Sequence, residues 1–470
     1  MYGVIDVGTT STKLYIYDKE GKIKYSNRIR LGFERREGNY IEQDSSRLWE
    51  ITKAFLNKME SERVRYFGLT TYRASVLVWD KDGNPLTNVI TWIDRRGLEV
   101  KRSFPLYLKV LSNFPMLRSV LSIDSPAMLY KWLIWKRPKL KKEIEKEKAY
   151  FGTLDSYLTY RLTGEYVSDI TNATLTGLIH PKTLKPLSIV SRILGTPEYS
   201  PRIVDNVETI GEVRDMEFNV LIADQQAATV AEGCLKKGRV KITNGTGSFV
   251  DMVLDEFKMP KGGLIPITVV KVGEKTVYGV EGFVPSSGIV LDWMVDKNIV
   301  EDYKSICSDE EEGEEIFFLP MFRGLRIPYH LSASGAVLGL TLNSSSMDIA
   351  RGFINGLAFL IQEILREMVW QFKHRPDVLY CNGGLSQCKR LLQAIADYTG
   401  YYVARSRGDD ATAYGVLKLL EISSGRKSLD DIREPEEGVI LYTPKLPEKE
   451  RIEKIKRWRE ALKVGLKWNL

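Results

Sequence analysis

The sequence predicts two related α/β domains that meet near residue 233 and leave a cleft between them. Three observations predict it. The chain has 470 residues, too many for one compact core when domains run to roughly 100–200 residues. Short apolar runs bounded by glycine and polar turns alternate with helix-period segments, the pattern of sheets covered by helices. A strand, a glycine turn and a returning strand occur together twice, once around Gly8 and once around Gly245.

The elements follow in chain order. Tyr2–Gly8, Lys13–Asp18 and Lys22–Leu31 read as three consecutive antiparallel strands. A helix is expected from Asp44 to Met59, capped by Asp44 or Ser45, with Leu48, Ile51, Phe55 and Met59 on one face. Strands then span Tyr66–Thr71 and Ser75–Trp79, the second ending at the Asp82-Gly83-Asn84-Pro85 turn. In the second half, Gly238–Thr243 and Phe249–Leu254 flank the turn Asn244-Gly-Thr-Gly-Ser248. Asp377–Cys381 runs into Asn382-Gly-Gly384, followed by helix Ser386–Tyr398, strand Tyr401–Arg405 and helix Ala411–Leu420. Ser308–Glu315 is a solvated acidic loop, and Pro447–Leu470 is a basic amphipathic helix expected to pack on its own domain.

Composition narrows the function. An apolar share of 43% with 27% charged residues excludes disordered, collagen-like and fibrous chains. The net charge of +7 is mild, and no basic stretch interleaved with aromatics suggests a nucleic-acid groove. The start, MYGVIDVG, has no basic segment followed by an apolar one, and Phe353–Leu365 is interrupted by Asn355, Gly356, Gln362 and Glu363. A soluble, cytoplasmic protein without membrane partners is expected. Cys234, Cys307, Cys381 and Cys388 lack metal-site spacing and are expected to be free buried thiols.

No Walker A string occurs, and Gly245-Thr-Gly247 lacks the third glycine of a dinucleotide fingerprint. A glycine-threonine hairpin offers another phosphate device, since successive backbone N–H groups and hydroxyls can converge on an anion. Gly8-Thr-Thr-Ser11 and Gly245-Thr-Gly247 are two such hairpins, although either alone could be only a turn. Asp6, just before the first, could hold Mg²⁺ through water.

Asp6-Val-Gly-Thr-Thr-Ser-Thr-Lys13 resembles the first phosphate motif of the FGGY carbohydrate kinases, within the actin, Hsp70 and hexokinase superfamily. Gly38–Asp44 with Leu48-Trp49, Thr91-Trp-Ile-Asp-Arg-Arg96, Phe151–Tyr157 and Thr171-Asn-Ala-Thr174 continue the resemblance in order. Ala223–Ala228, Asn244–Gly247, Phe318–Gly324, Gly335–Leu340 and Asn382–Gly384 carry it to about residue 420. The resemblance implies two actin/hexokinase-like (ribonuclease H-like) α/β domains with an ATP and substrate cleft between them. Residues 1–233 would form the N-terminal domain, with the substrate site, the base and the first hairpin. Residues 234–470 would form the C-terminal domain, with the second hairpin and the adenosine site.

The activity implied is ATP- and Mg²⁺-dependent phosphorylation of a hydroxyl on a small polyol or sugar, most similar to glycerol kinases. Asp224 would be the general base, although an aspartate there could also cap the helix beginning near Gln225. Asp6 would position Mg²⁺, Gly8, Thr9, Thr10, Ser11 and Lys13 would meet the phosphates, and Gly245 and Thr246 would bind them from the second domain. Gly383 and Gly384 would admit the adenosine end. Arg73, Trp92, Gln225 and Phe249 match substrate-site positions.

Substrate choice is where the chain departs from glycerol kinases. Thr71-Tyr-Arg-Ala74 keeps the arginine but has Ala74 in place of the glutamate, and Asp124 falls near the position of a tyrosine. Losing a charged hydrogen bond to a hydroxyl costs about 1.5–3 kcal/mol, roughly 10- to 150-fold in binding. A longer or differently arranged polyol or sugar is expected, with ketopentoses such as xylulose or ribulose as an alternative. A non-catalytic nucleotide-dependent binding protein is a further alternative, and homo-oligomerisation is left open. Cys388 stands where many glycerol kinases carry an asparagine near adenine, and His180, His330 and His374 receive no role.

Overall fold

The structure, a computed structural model, describes residues 1–112, 114–118, 120–308, 313–406, 410–435 and 438–468. Its first sheet is built from β1 (Tyr2–Val7), β2 (Ser11–Tyr17), β3 (Ile23–Arg30), β4 (Tyr66–Thr71), β5 (Val207–Val213) and β6 (Met216–Ala223), in the order β5-β6-β4-β1-β2-β3. β1, β2 and β3 pair antiparallel, as their runs predict, while β4 lies parallel to both β1 and β6. Every residue of β1 is buried, as expected of a strand covered on both faces.

Helix α1 (Ser45–Ser61) covers one face of this sheet. Asp44 is its N-cap, accepting from the Ser46 and Arg47 amides, and Leu48, Ile51, Phe55 and Met59 are buried together. Gly3 makes the close approach possible, since a Cβ there would lie 2.2 Å from Met59 Sδ. A smaller five-stranded sheet includes Tyr40–Gln43, Val76–Asp80, Val89–Ile90 and Ala149–Thr153. Helix α2 (Asp224–Ala231) leaves the end of β6 directly.

The second large sheet repeats the plan. It contains β7 (Val240–Asn244), β8 (Ser248–Leu254), β9 (Ile265–Val272), β10 (Lys275–Val284), β11 (Val378–Asn382), β12 (Tyr402–Arg405) and β13 (Ile440–Tyr442), ordered β9-β10-β8-β7-β11-β12-β13. In both sheets an antiparallel hairpin, β1–β2 or β7–β8, is followed by two parallel additions. Helix α3 (Ser346–Phe372) runs through the core of this half, and α4 (Glu448–Trp468) buries Trp458, Ala461 and Leu462. No helix among the described residues is long and apolar enough to cross a membrane.

The chain divides into two compact units. The first holds Met1–Ala231 with Ile267–Tyr278 and Thr412–Ile432, and the second holds Glu232–Pro266, Gly279–Ala411 and Arg433–Leu470. Two stretches beyond residue 233 therefore pack with the N-terminal residues. The reason is visible in the Ala411–Ser423 helix: a Cβ on Gly415 would sit 1.9 Å from the Ala227 carbonyl oxygen, and one on Gly68 would sit 2.5 Å from Val416 Cγ1.

Two local expectations change. Cys307 and Cys388 are bridged, with Cα atoms 4.5 Å apart, while Cys234 and Cys381 are the free buried thiols. A separation of 81 residues gives no hint of that proximity, which arises when the Tyr303–Ser308 helix packs beside the start of Lys389–Thr399. The helix expected from Ser386 begins instead at Lys389, after a 3-10 turn over Gly384–Gln387. Residues 309–312 of the acidic loop lie outside the described residues.

Candidate active site

Three parallel strands end level in the first unit. In the ladder Thr71 of β4 stands opposite Val7 of β1 on one side and Ala223 of β6 on the other. The next residues are the Gly8 hairpin, the Tyr72–Ser75 kink and the start of α2 at Asp224. A crevice outside the carboxyl ends of parallel strands is where open α/β sheets bind ligands.

Arg73 and Asp224 meet there. Arg73 Nε lies 3.8 Å from Asp224 Oδ1, with the arginine buried and the carboxylate 21% exposed, so Asp224 remains reachable. Its Oδ1 also accepts the Gln225 amide at 2.7 Å. Arg73 Nη1 donates to Gln226 Oε1 at 3.4 Å, and Gln226 Nε2 donates to the Thr268 carbonyl at 3.4 Å. Gln226 thus joins this cluster, where the sequence reading assigned a substrate-site position to Gln225 alone of the Asp224-Gln-Gln226 string. The two glutamines of the Asp-Gln-Gln string separate by burial, Gln226 being buried and Gln225 partly exposed. Ala74 sits in the left-handed region at φ 54°, a conformation that costs an L-residue roughly 1–2 kcal/mol.

The hairpin is tied to the same wall. Gly8 N–H donates to the Ser11 carbonyl at 3.0 Å, closing the turn. Trp92 Nε1 donates to Thr9 Oγ1 at 3.0 Å, and the Trp92 amide donates to Ser75 Oγ at 2.9 Å. Gln43 Nε2 donates to the Thr9 carbonyl at 2.7 Å while its Oε1 accepts the Tyr72 hydroxyl at 2.5 Å. Complete burial pushes the Tyr72 phenol far above its usual range, so it serves as a fixed donor. Thr10 is exposed and Ser11 buried. Lys13 Nζ lies 3.3 Å from Asp6 Oδ2, across the β1–β2 pair.

The remaining motif residues divide by role. Asp94 and Arg96 are buried, paired at 2.7 Å, and Arg96 also reaches Glu42 at 2.7 Å beneath the Tyr40 and Trp132 rings. Burial pushes the Asp94 carboxyl upward against the opposing pull of Arg96. This pair holds the loop that presents Trp92. Asp124 accepts the Ser122 hydroxyl and faces Arg95, whose pKa burial lowers while the Asp124 charge opposes the shift. Gly97 permits the approach, since a Cβ there would lie 2.2 Å from the Ile123 carbonyl oxygen.

In the second unit, two turns pack on each other. Gly383, at φ 88°, lies so close to Asn244 that a Cβ would fall 2.5 Å from its carbonyl oxygen. Asn244 Nδ2 donates to Ser386 Oγ at 3.1 Å, and Thr243 Oγ1 donates to Asn382 Oδ1 at 2.7 Å. The Gly245 and Thr246 carbonyls accept amides of Gly288 at 2.9 Å and Ser287 at 3.1 Å. Phe249 stacks on Phe283 with centroids 5.3 Å apart. A Cβ on Gly384 would meet nothing within 4 Å, so internal packing does not require glycine there.

Family models for the N-terminal and C-terminal domains of the FGGY family of carbohydrate kinases match residues 1–228 and 240–423. The chain belongs to the FGGY family of carbohydrate kinases. An "uncharacterized sugar kinase" from Archaeoglobus fulgidus is 29% identical over 99% of both chains, and a glycerol kinase from Aquifex aeolicus is 28% identical over 99% of both. Among solved structures, a Plasmodium falciparum glycerol kinase with ADP superposes with a TM-score of 0.86 at 24% identity, covering 99% of this chain and 98% of that one. The two actin/hexokinase-like domains expected from the motifs are thus the fold of this FGGY kinase.

Proposed function

We propose that this FGGY kinase transfers the γ-phosphoryl group of ATP to a hydroxyl of a small polyol or sugar, with Asp224 as general base. The observation that carries the reading is the cluster of Asp224, Arg73 and Gln226 at the level strand ends, beside the hairpin that Trp92 holds. The hydroxyl oxygen bonds to the γ-phosphorus, the bond from phosphorus to the β–γ bridging oxygen breaks, and the hydroxyl proton passes to Asp224. Arg73 binds an acceptor hydroxyl and Trp92, Gln225, Asp124 and Phe249 shape the acceptor site. The Gly8–Ser11 and Gly245–Thr246 turns with Lys13 receive phosphates, and Gly383 and Gly384 receive the adenosine end.

Asp6 suits a magnesium ion held through water, because Mg²⁺ keeps most of its waters and takes one or two carboxylates beside substrate phosphates. Its buried carboxylate at the hairpin, next to Lys13, supplies that single hard donor. The ion would neutralise phosphate charge there. Ala74 offers no carboxylate to a polyol, which supports an acceptor longer than glycerol, ketopentoses included.

The test is ATP consumption with glycerol, longer polyols, ketoses and aldoses, for the wild type and Asp224→Asn. Turnover with at least one acceptor is expected, lowered by about 10²–10⁴-fold in the variant. Undiminished turnover in the variant removes Asp224 from the base role, and silence across the panel favours a binding protein. Efficient turnover of glycerol at low concentration overturns the inference from Ala74.

A further inference from the structure

Two carboxyls lie behind Asp224 with no part in the reading above. Asp155, in the first turn of the Leu154–Thr163 helix, and Asp169, the N-cap of Ile170–Leu175, are both fully buried. Asp155 Oδ2 accepts the Ser168 hydroxyl at 2.8 Å and the Asp169 amide at 3.2 Å. Asp169 Oδ1 accepts the amides of Thr171 at 2.8 Å and Asn172 at 3.2 Å, the Thr171 hydroxyl, and Asn206 Nδ2 at 3.2 Å. Its Oδ2 accepts Asn172 Nδ2 at 2.6 Å. Donors in that number suit a charged carboxylate at Asp169, while burial and the Asp169 charge raise the Asp155 carboxyl to about 7.

Two of these donors continue to β6. Thr171 Oγ1 accepts the Ala223 amide at 2.9 Å. Asn206 Nδ2 donates to the Leu221 carbonyl at 2.9 Å, and the Asn206 carbonyl accepts the Leu221 amide at 3.3 Å. A hydroxyl has one proton, so its donation to Asp169 leaves the threonine oxygen as the acceptor for Ala223. One carboxylate thereby fixes both the last amide of β6 and the carbonyl two residues earlier. Asp224 is the next residue.

We propose that Asp169 and Thr171 are positioning residues for Asp224, setting the strand end from which the base projects. The inference rests on Asp224 being the base of the reaction proposed above. Small displacements of a reacting group are expensive, about a hundredfold in rate for 1 Å.

The experiment compares full-length Thr171→Val, Thr171→Ser, Asp169→Asn and Asp224→Asn by steady-state kinetics and by amide hydrogen exchange across β6. Thr171→Val is expected to lower kcat by roughly 10- to 100-fold. Its KM for ATP should move by less than about twofold, since ATP binding is not what the hydroxyl serves. Thr171→Ser should restore kcat, and the Ala223 amide should exchange faster in Thr171→Val but not in Thr171→Ser. If Thr171→Val does not fold, Asp169→Asn carries the same expectation, because it frees the same hydroxyl to turn. Wild-type kcat in Thr171→Val, a loss that Thr171→Ser shares, or unchanged Ala223 exchange overturns the positioning role. If Asp224→Asn keeps full turnover, the base assignment falls; if it is inactive while Thr171→Val is unimpaired, only the positioning role falls.

Discussion

A buried carboxyl that keeps its proton makes stability depend on pH. Burial first, then the charge of Asp169, raises the Asp155 pKa, and the other titratable groups facing it, Tyr166 and Tyr199, are not cations. Unfolded aspartates release their proton near pH 4, about the reference value. Above that the folded state binds the extra proton, so this group's contribution falls as pH rises until the folded carboxyl itself ionises. Asp155→Asn has no proton to lose. Its melting temperature should therefore gain on the wild type between about pH 4 and pH 7, the gain growing with pH and levelling off once the folded carboxyl, raised to about 7, has ionised. A difference that is flat or that shrinks with pH removes the proton from Asp155. Single residues were unevenly legible. Asp224 and Arg73 stand in recognisable strings, but the Thr171-Asn-Ala-Thr174 string carried no role until its hydroxyl was seen under Ala223. Contacts across 52 residues leave no local pattern.

At the scale of elements, strands and caps were legible because alternation, glycine turns and Asp44 act locally. The Gly383-Gly384 turn, proposed above to receive the adenosine end, separates two uses of glycine. Gly383→Ala places a side chain at φ 88° against the Asn244 carbonyl and should lower stability by more than about 1 kcal/mol. Gly384→Ala meets no protein atom and should leave the denaturation midpoint within about 0.5 kcal/mol of wild type while raising KM for ATP. Equal stability losses in the two variants would assign both glycines to packing. An unchanged KM in Gly384→Ala would remove that residue from the nucleotide site.

The molecule as a whole carries constraints that span many elements. The Cys307–Cys388 bridge closes a loop of 81 residues in the second unit, and a cross-link of that span stabilises by about 3–5 kcal/mol in the chain-entropy model. Cys307→Ser should lower the denaturation midpoint accordingly, and a reductant should do the same to the wild type alone. No shift in either measurement would show that the thiols are unbridged. The pairing was not legible because scattered cysteines reveal no connectivity.

The discontinuous first unit has a temporal side. Gly415 lies flush against Ala227 in the helix that begins with Asp224, and Thr412–Ile432 belongs to the same unit as β1. Chains emerge from the ribosome at roughly 5–20 residues per second, N-terminal parts first. The helix bearing Asp224 therefore waits for its neighbour until Ala411–Ser423 has been synthesised. A nascent chain interrupted before that point has every strand of its first sheet but lacks the helix that packs on the one bearing Asp224, so the first unit is completed only after most of the second has been made.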